Sequence, residues 1–172
     1  MIIAFTGLAQ AGKTTAADFL AKLGWNKVSF ASPLKRMMAV LTDETDKDAR
    51  PPELCGKTVR ECYQSLGTEW GRNLVGRDIW LRAAKRQMGL IAKNGGRVVC
   101  DDVRFDNEAE LVHKLGGIVI EVRRAGLNRM EHESESGISP LALDASLAND
   151  GSPEDLWTKL NEACLRLGIR LE

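Results

Sequence analysis

The chain has 172 residues, and 24 Lys and Arg are matched by 24 Asp and Glu, for a net charge of zero. That length suits one domain with a real core. The neutral balance offers no basic excess for duplex nucleic acid, and no window has the apolar length of a membrane span. The four cysteines, Cys55, Cys62, Cys100 and Cys164, form no C-x-x-C pair, which argues against zinc and fits a reducing cytosol. The first apolar run is too short for a signal peptide, so a cytoplasmic location is expected.

Ile2-Ile3-Ala4-Phe5-Thr6 reads as a buried strand. Gly7-Leu8-Ala9-Gln10-Ala11-Gly12-Lys13-Thr14 follows and satisfies G-x-x-x-x-G-K-[ST]. Ala16, Phe19, Leu20 and Leu23 then mark one face of a helix. Strand, glycine loop and helix together define a phosphate-binding loop. Gly7 and Gly12 let the backbone turn and approach a phosphate. Ala9, Gln10 and Ala11 lie between them, and the helix start adds unpaired N–H groups and a positive dipole end. Lys13 places an ammonium on the β- and γ-phosphates, Thr14 offers a hydroxyl to Mg²⁺, and Thr15 adds one toward the α-phosphate. This is a nucleoside-triphosphate site.

Residues 27–30 read as a second strand. Ser32 and Pro33 read as N-cap and first residue of a helix with Met37, Met38, Val40 and Leu41 on its apolar side. Residues 42–52 are charged and proline-ended, which predicts an exposed, mobile loop. Residues 58–66 predict a helix interrupted by Gly67. Thr68-Glu69-Trp70-Gly71-Arg72 then sets an aromatic, a carboxylate and a guanidinium among glycines. Trp70 reads equally as core or as function, while the planar fork of Arg72 suits a phosphate.

Asp78 precedes a long helix carrying Trp80, Ala84 and Met88. Arg97-Val98-Val99-Cys100-Asp101 is a third strand with an acidic end, continued by Asp102. A strand-end Asp beside such a loop holds Mg²⁺ or orients the nucleophile; the alternative is a cap for the next helix. That helix has Phe105, Ala109, Val112 and Leu115 as its stripe. Residues 118–122 form a fourth strand, and Arg123, Arg124 and Arg129 follow where an α/β sheet places its ligand crevice. Residues 145–149 read as a fifth strand, Asn149-Asp150-Gly151 as a turn, and Ser152 as the cap of the last helix. Alternating strands and helices predict an α/β, three-layer fold with a mostly parallel five-stranded sheet flanked by helices.

These residues resemble the bacteriophage-type deoxynucleoside monophosphate kinases, within the P-loop nucleoside monophosphate kinase group. The resemblance rests on the loop at 7–14, Phe30-Ala31-x-Pro33-Leu34-Lys35, Arg60-x-x-x-Gln64-x-Leu66-Gly67-Thr68-Glu69-Trp70-Gly71-Arg72, Asp102-Val103-Arg104-Phe105-x-Asn107-Glu108, His132-x-Ser134-Glu135 and Asn149-Asp150-Gly151. Ser32 departs from it, since such sequences often carry Asp there. The resemblance implies a P-loop kinase fold, one domain over 1–172 with a monophosphate-binding insertion at about 42–75 and a lid-like segment at about 123–140. It implies transfer of the γ-phosphoryl group of ATP to a deoxynucleoside monophosphate, with Mg²⁺. Lys13 and the loop amides would hold ATP. Thr14 and Asp102 would serve Mg²⁺, with Asp101 as the fallback. Arg104 and Arg72 would hold the acceptor phosphate, with Lys35, Glu69, Trp70 and Glu108 in the nucleotide pocket. Arg124 and Arg129 would belong to the lid, with Arg123 able to replace either.

Two other readings stay open here: a P-loop kinase of another small acceptor, and a non-catalytic nucleotide-dependent switch. No Asn-Lys-x-Asp segment supports a guanine-specific switch, and the neutral charge argues against an enzyme acting on nucleic-acid ends. Neither membrane nor stable nucleic-acid binding is expected. A homodimer is left open, and a phage-encoded chain would act in its host's cytoplasm.

Overall fold

The structure is a computed structural model that describes residues 1–127 and 138–171. The chain divides into two compact units, Met1–Ser29 with Gln87–Glu172, and Phe30–Arg86. Among the described residues no helix is long and apolar enough to cross a membrane.

The first unit is built on five strands, β1 (Ile2–Thr6), β2 (Asn26–Lys27), β3 (Val98–Cys100), β4 (Ile118–Arg123) and β5 (Ala145–Ala148), in the order β2-β3-β1-β4-β5. Every pairing is parallel; Ile3, for example, lies between Val99 and Ile118. Parallel strands covered on both faces need apolar residues throughout, and β1 is buried at all five positions. Strand alternation sorts the side chains into two layers. Ile3, Phe5, Val99, Ile120, Val122 and Leu147 enter one core with α1 (Lys13–Lys22) and α6 (Pro153–Arg166). Ile2, Ala4 and Val119, of the opposite parity, are equally buried, and α5 (Asp106–Lys114) packs on β1 and β4. The three-layer α/β arrangement expected from the sequence is therefore present.

Several local expectations change. β2 stops at Lys27 rather than running to Phe30; the Val28 N–H still donates to Val99 O at 2.9 Å, and the chain then turns away toward α2. Neither Asp101 nor Asp102 caps α5. That helix starts at Asp106, and the Glu108 carboxylate takes up the N–H groups of Arg104 (2.8 Å) and Phe105 (3.3 Å) ahead of it. Leu111, not Leu115, completes its buried stripe with Ala109 and Val112. The last helix is as expected: Ser152 Oγ accepts from the Asp155 N–H and the Asp155 carboxylate accepts from the Ser152 N–H, a reciprocal cap.

The second unit holds α2 (Ser32–Leu41), a 3₁₀ turn at Pro52–Leu54, α3 (Val59–Gln64) and the start of α4 (Ile79–Lys93). α2 is entered from Ala31 rather than Ser32, so Ser32 is its first helical residue. Of Met37, Met38, Val40 and Leu41 only Met38 is buried; Val40 is 85% exposed. The cluster it joins, Met38, Leu54 and Val59 with Cys62, Tyr63 and Leu66 against it, is too small to cover a wider stripe. The 42–52 segment is exposed, but it is tied to the start of α3. Arg60 N donates to Lys47 O at 2.8 Å, Val59 N to Ala49 O at 3.1 Å, and the Arg60 guanidinium grips both Asp48 oxygens at 3.0 and 3.2 Å.

Gly67 does not interrupt the chain. α3 passes directly into a wide helical stretch, Ser65–Val75, of the π type, whose last turn is closed by Gly76 N to Gly71 O at 2.9 Å. Such helices are rare, and eleven residues is long for one. Trp80 explains the glycine at 71 and ties down the backbone at 67. Its indole N–H donates to Gly67 O at 2.8 Å, and its ring lies so close to Gly71 that a Cβ there would stand 2.5 Å from Cζ2.

Gly71→Ala is expected to cost about 1–3 kcal/mol through overpacking, read as a lower urea midpoint. Gly89→Ala, on α4 with open space around it, is expected to be neutral or to gain up to about 1 kcal/mol from helix propensity. Equal midpoints for the two variants would show that the Trp80 contact does not govern this segment.

Candidate active site

The phosphate loop leaves the carboxyl end of β1 and is held from beneath by Ala11, whose side chain is buried in the main core. Gly7 has φ of 130° and Gly12 of 105°. A Cβ on Gly7 would strike the Val122 carbonyl oxygen, and one on Gly12 would strike the Asn149 side-chain amide. Both positions therefore demand glycine by conformation and by space. Gln10, between them, also has positive φ, at 64°. Gly12 occupies the N-cap of α1, no side chain caps that end and no acidic residue lies in its first turn. The first N–H groups of α1 have no intrahelical partner, and the dipole there is positive, so the end is built for an anion. Lys13 Nζ crosses the loop, donating to Gly7 O at 2.8 Å and Leu8 O at 2.7 Å.

The two strand-end carboxylates have different partners. Asp101 Oδ2 accepts from Thr14 Oγ1 at 3.0 Å and lies 3.5 Å from Lys27 Nζ. Lys27 also reaches Asp18 at 2.8 Å. Burial works against the Lys27 charge, but the Asp18 hydrogen bond and the charges of Asp101 and Asp18 outweigh it and hold the ammonium above its usual pKa. Asp102 instead accepts from Ser29 Oγ at 2.5 Å and from the Cys100 thiol at 3.2 Å. Full burial, and then the Asp102 charge, push the Cys100 thiol well above its usual value, so it stays protonated and able to donate. The structure thus brings Asp101 to Thr14, where the sequence reading had put Asp102 first.

Arg104 follows Val103, which is buried and donates its N–H to Phe5 O at 3.2 Å. Glu108 is itself only 2% exposed and is bonded to the Arg104 N–H, so it shapes the backbone beside Arg104. Arg124 lines a cleft of about 360 Å³ together with Gln10, Gly12, Lys13, Thr14, Thr15, Asn149, Gly151, Pro153 and Leu156. Arg123 is paired with Glu121 at 2.5 Å. Arg129 and most of the lid-like segment, with His132, Ser134 and Glu135, lie outside the described residues. In the second unit Glu69 accepts from Ser65 Oγ at 2.6 Å. Trp70 is 37% exposed, its ring tilted against Trp80 at 6.2 Å. Arg72 is half-buried in the same π-type stretch, and Lys35 is exposed on α2.

Sequence reasoning named Arg124 but missed Lys27, Ser29 and the cleft residues Asn149, Gly151, Pro153 and Leu156. No local pattern marks Lys27 or Ser29. Asn149 lies inside the Asn149-Asp150-Gly151 motif but reads in sequence only as the end of the fifth strand, which stops at Ala148, and as a turn.

The loop, the acidic end of β3 and the parallel order define a P-loop fold of the kinase type. The solved structure of APS kinase from Mycobacterium tuberculosis matches it at a TM-score of 0.51 and 13% identity, over 95% of this chain and 96% of that one. The sequence model of the deoxynucleotide monophosphate kinase family matches residues 56–160. A protein of Acanthamoeba polyphaga mimivirus, provisionally named a deoxynucleotide monophosphate kinase, is 30% identical over 93% of this chain and 94% of its own length. The deoxynucleotide monophosphate kinase of Escherichia phage RB69 is 32% identical over 61% of this chain, but the match spans only 44% of that protein. The chain belongs to the deoxynucleotide monophosphate kinase family and is a phosphotransferase of the P-loop type.

The thiols give a direct check on the site's burial. A thiol reagent at pH 8 is expected to label exposed Cys55 first and to leave Cys100 and Cys164, the latter pushed up to about 11 by burial, untouched until the chain unfolds. Early labelling of Cys100 would mean that the Asp102 surroundings are open to solvent.

Proposed function

We propose that this chain transfers the γ-phosphoryl group of ATP to the phosphate of a deoxynucleoside monophosphate, giving ADP and a deoxynucleoside diphosphate. The observation that carries the donor half is the contact between Thr14 and Asp101 beside the uncapped end of α1. Family membership carries the acceptor half.

Two oxygen donors meeting at 3.0 Å suit Mg²⁺, a hard cation that takes one or two side chains and completes its shell with phosphates and water. Among the described residues there is no group of three or more His, Cys, Asp or Glu able to cage a metal, in keeping with such a shared site. Thr14 and Asp101 would hold the ion, directly or through water. Mg²⁺ supplies charge neutralisation across the phosphates when bound.

The protein's own task is positioning and electrostatics. Lys13 leaves the Gly7 and Leu8 carbonyls for the β- and γ-phosphate oxygens, exchanging neutral acceptors for charged ones. The loop amides hold the same phosphates. Arg124 and the Gly151–Pro153–Leu156 wall take the rest of the donor nucleotide. Asp102, gripped on both oxygens by Ser29 and Cys100, has a fixed orientation suited to ordering neighbouring groups rather than moving itself. Arg104 supplies a further cation for the phosphates. Arg72, with Glu69, Trp70 and Lys35, serves the acceptor nucleotide, and Arg129 joins Arg124 in the lid. The chain acts in the cytoplasm, that of the host if phage-encoded.

The test is a coupled ADP-release assay with ATP, Mg²⁺ and each common deoxynucleoside and ribonucleoside monophosphate in turn. One or more deoxynucleotides should stimulate release. Lys13→Ala should lower that turnover roughly 10²–10³-fold with the fold intact, the usual cost of deleting one transition-state donor. Near-normal turnover in the variant would remove the loop from the chemistry. Failure of every monophosphate to stimulate would remove the acceptor assignment.

The assignment of the metal carboxylate is separable. Asp101→Asn should raise the Mg²⁺ concentration giving half-maximal activity and weaken Mn²⁺ binding, measured by electron paramagnetic resonance in the presence of ADP. Asp102→Asn should lower turnover and leave Mn²⁺ binding close to normal. The reverse pattern would return the metal to Asp102.

A further inference from the structure

Two consecutive residues after β5 make an unusual set of bonds. Asn149 Nδ2 donates to Ala11 O in the phosphate loop at 2.8 Å. Asn149 N donates to Arg123 O at 2.7 Å. Ala125 N donates to Asp150 Oδ1, also at 2.7 Å. Arg124 is thus bracketed: the carbonyl before it and the N–H after it are both bonded to this turn. The same turn reaches the loop through one amide and fills the space over Gly12 that a Cβ would need. The turn is itself anchored, since Lys159 Nζ donates to Ala148 O at 2.7 Å and the Ser152–Asp155 cap follows directly. Asn149, Gly12 and Arg124 all line the one cleft.

We infer that Asn149 and Asp150 form a clasp that sets the spacing between the phosphate loop and Arg124, which makes them positioning residues for the donor nucleotide. The inference rests on the reading of this cleft as the donor site. Asp150 acts through Arg124, because its bond fixes the backbone next to that residue. Asn149 acts on the loop, because its amide is the partner of a carbonyl that would otherwise be free to turn toward the phosphates. An oxygen facing the phosphates would oppose binding, whereas the clasp keeps Ala11 O turned away from them.

The test is calorimetric titration of ADP with Mg²⁺ into the full chain, with its thermal midpoint recorded alongside. Asp150→Ala should weaken ADP binding roughly tenfold, the worth of an ordering hydrogen bond to a charged acceptor. Asp150→Asn, which keeps the accepting oxygen, should stay near the wild type. Because Asp150 acts through Arg124, adding Asp150→Ala to Arg124→Ala should weaken binding no further. Asn149→Asp, which turns the donor into a charged acceptor, should weaken binding more than Asn149→Ala. In steady state Asp150→Ala should raise KM for ATP and leave KM for the monophosphate unchanged.

Additive effects of Asp150→Ala and Arg124→Ala, equal rises in both KM values, or unchanged ADP affinity in Asp150→Ala would overturn the clasp while leaving the donor site standing. A wild-type chain that binds no ADP, or a Lys13→Ala variant that binds it equally well, would overturn the donor reading and the clasp with it. Should Asp150→Ala fold poorly, the pair Asn149→Ala and Asn149→Asp decides: equal affinities in the two would overturn the inference.

Discussion

Close approach of the backbone to its surroundings at the phosphate loop is the constraint on which the first unit depends. Gly7 is pressed against the Val122 carbonyl and Gly12 against the Asn149 amide, so the loop is in van der Waals register with β4 and with the turn after β5 at once. This ties three strands to one anion site. It also leaves the start of α1 without a side-chain cap, a small cost in helix stability retained where an external anion completes the end. The loop's shape is thus a property of the whole carboxyl edge of the sheet.

The edge divides its labour by chain parity. Cys100 and Asp102 share one face of the chain leaving β3, and Asp101 points the other way. Asp101 accordingly meets Thr14 and Lys27, while Asp102 meets Ser29 and the Cys100 thiol. Two adjacent carboxylates with the same chemistry so acquire different tasks, one beside the loop hydroxyl and one held rigidly by neutral donors. Cys100 does more than fill the core, since its protonated thiol is one of the groups that orient Asp102.

The Phe30–Arg86 unit follows other rules. Its core is small, and polar ties add to it: the Asp48–Arg60 pair, the Thr58–Glu61 cap and the indole bond of Trp80 to Gly67. The π-type stretch carries Glu69, Trp70 and Arg72 on a wider turn than an α-helix provides, and π geometry is frequent where function needs a side chain re-aimed.

The sequence by itself determined the loop, the strand–helix alternation and hence the parallel three-layer sheet. These are local: an eight-residue motif with its own backbone demands, and apolar runs whose period reports the layer they fill. It also marked a short list of charged residues, because few acids and arginines fall at strand ends. Tertiary structure alone decided how they are shared. Thr14 and Asp101 lie 87 residues apart, and which of two neighbouring aspartates reaches the hydroxyl depends on the register of β3 against β1. Lys27 and Ser29 carry no pattern of their own and Asn149 shows in sequence only within a turn motif; their roles exist only where strand ends meet. The wide turn at Ser65–Val75 was hidden for the same reason: Gly71, which looks like part of a break in sequence, is a seat for Trp80, which arrives from the next helix and also bonds the Gly67 carbonyl.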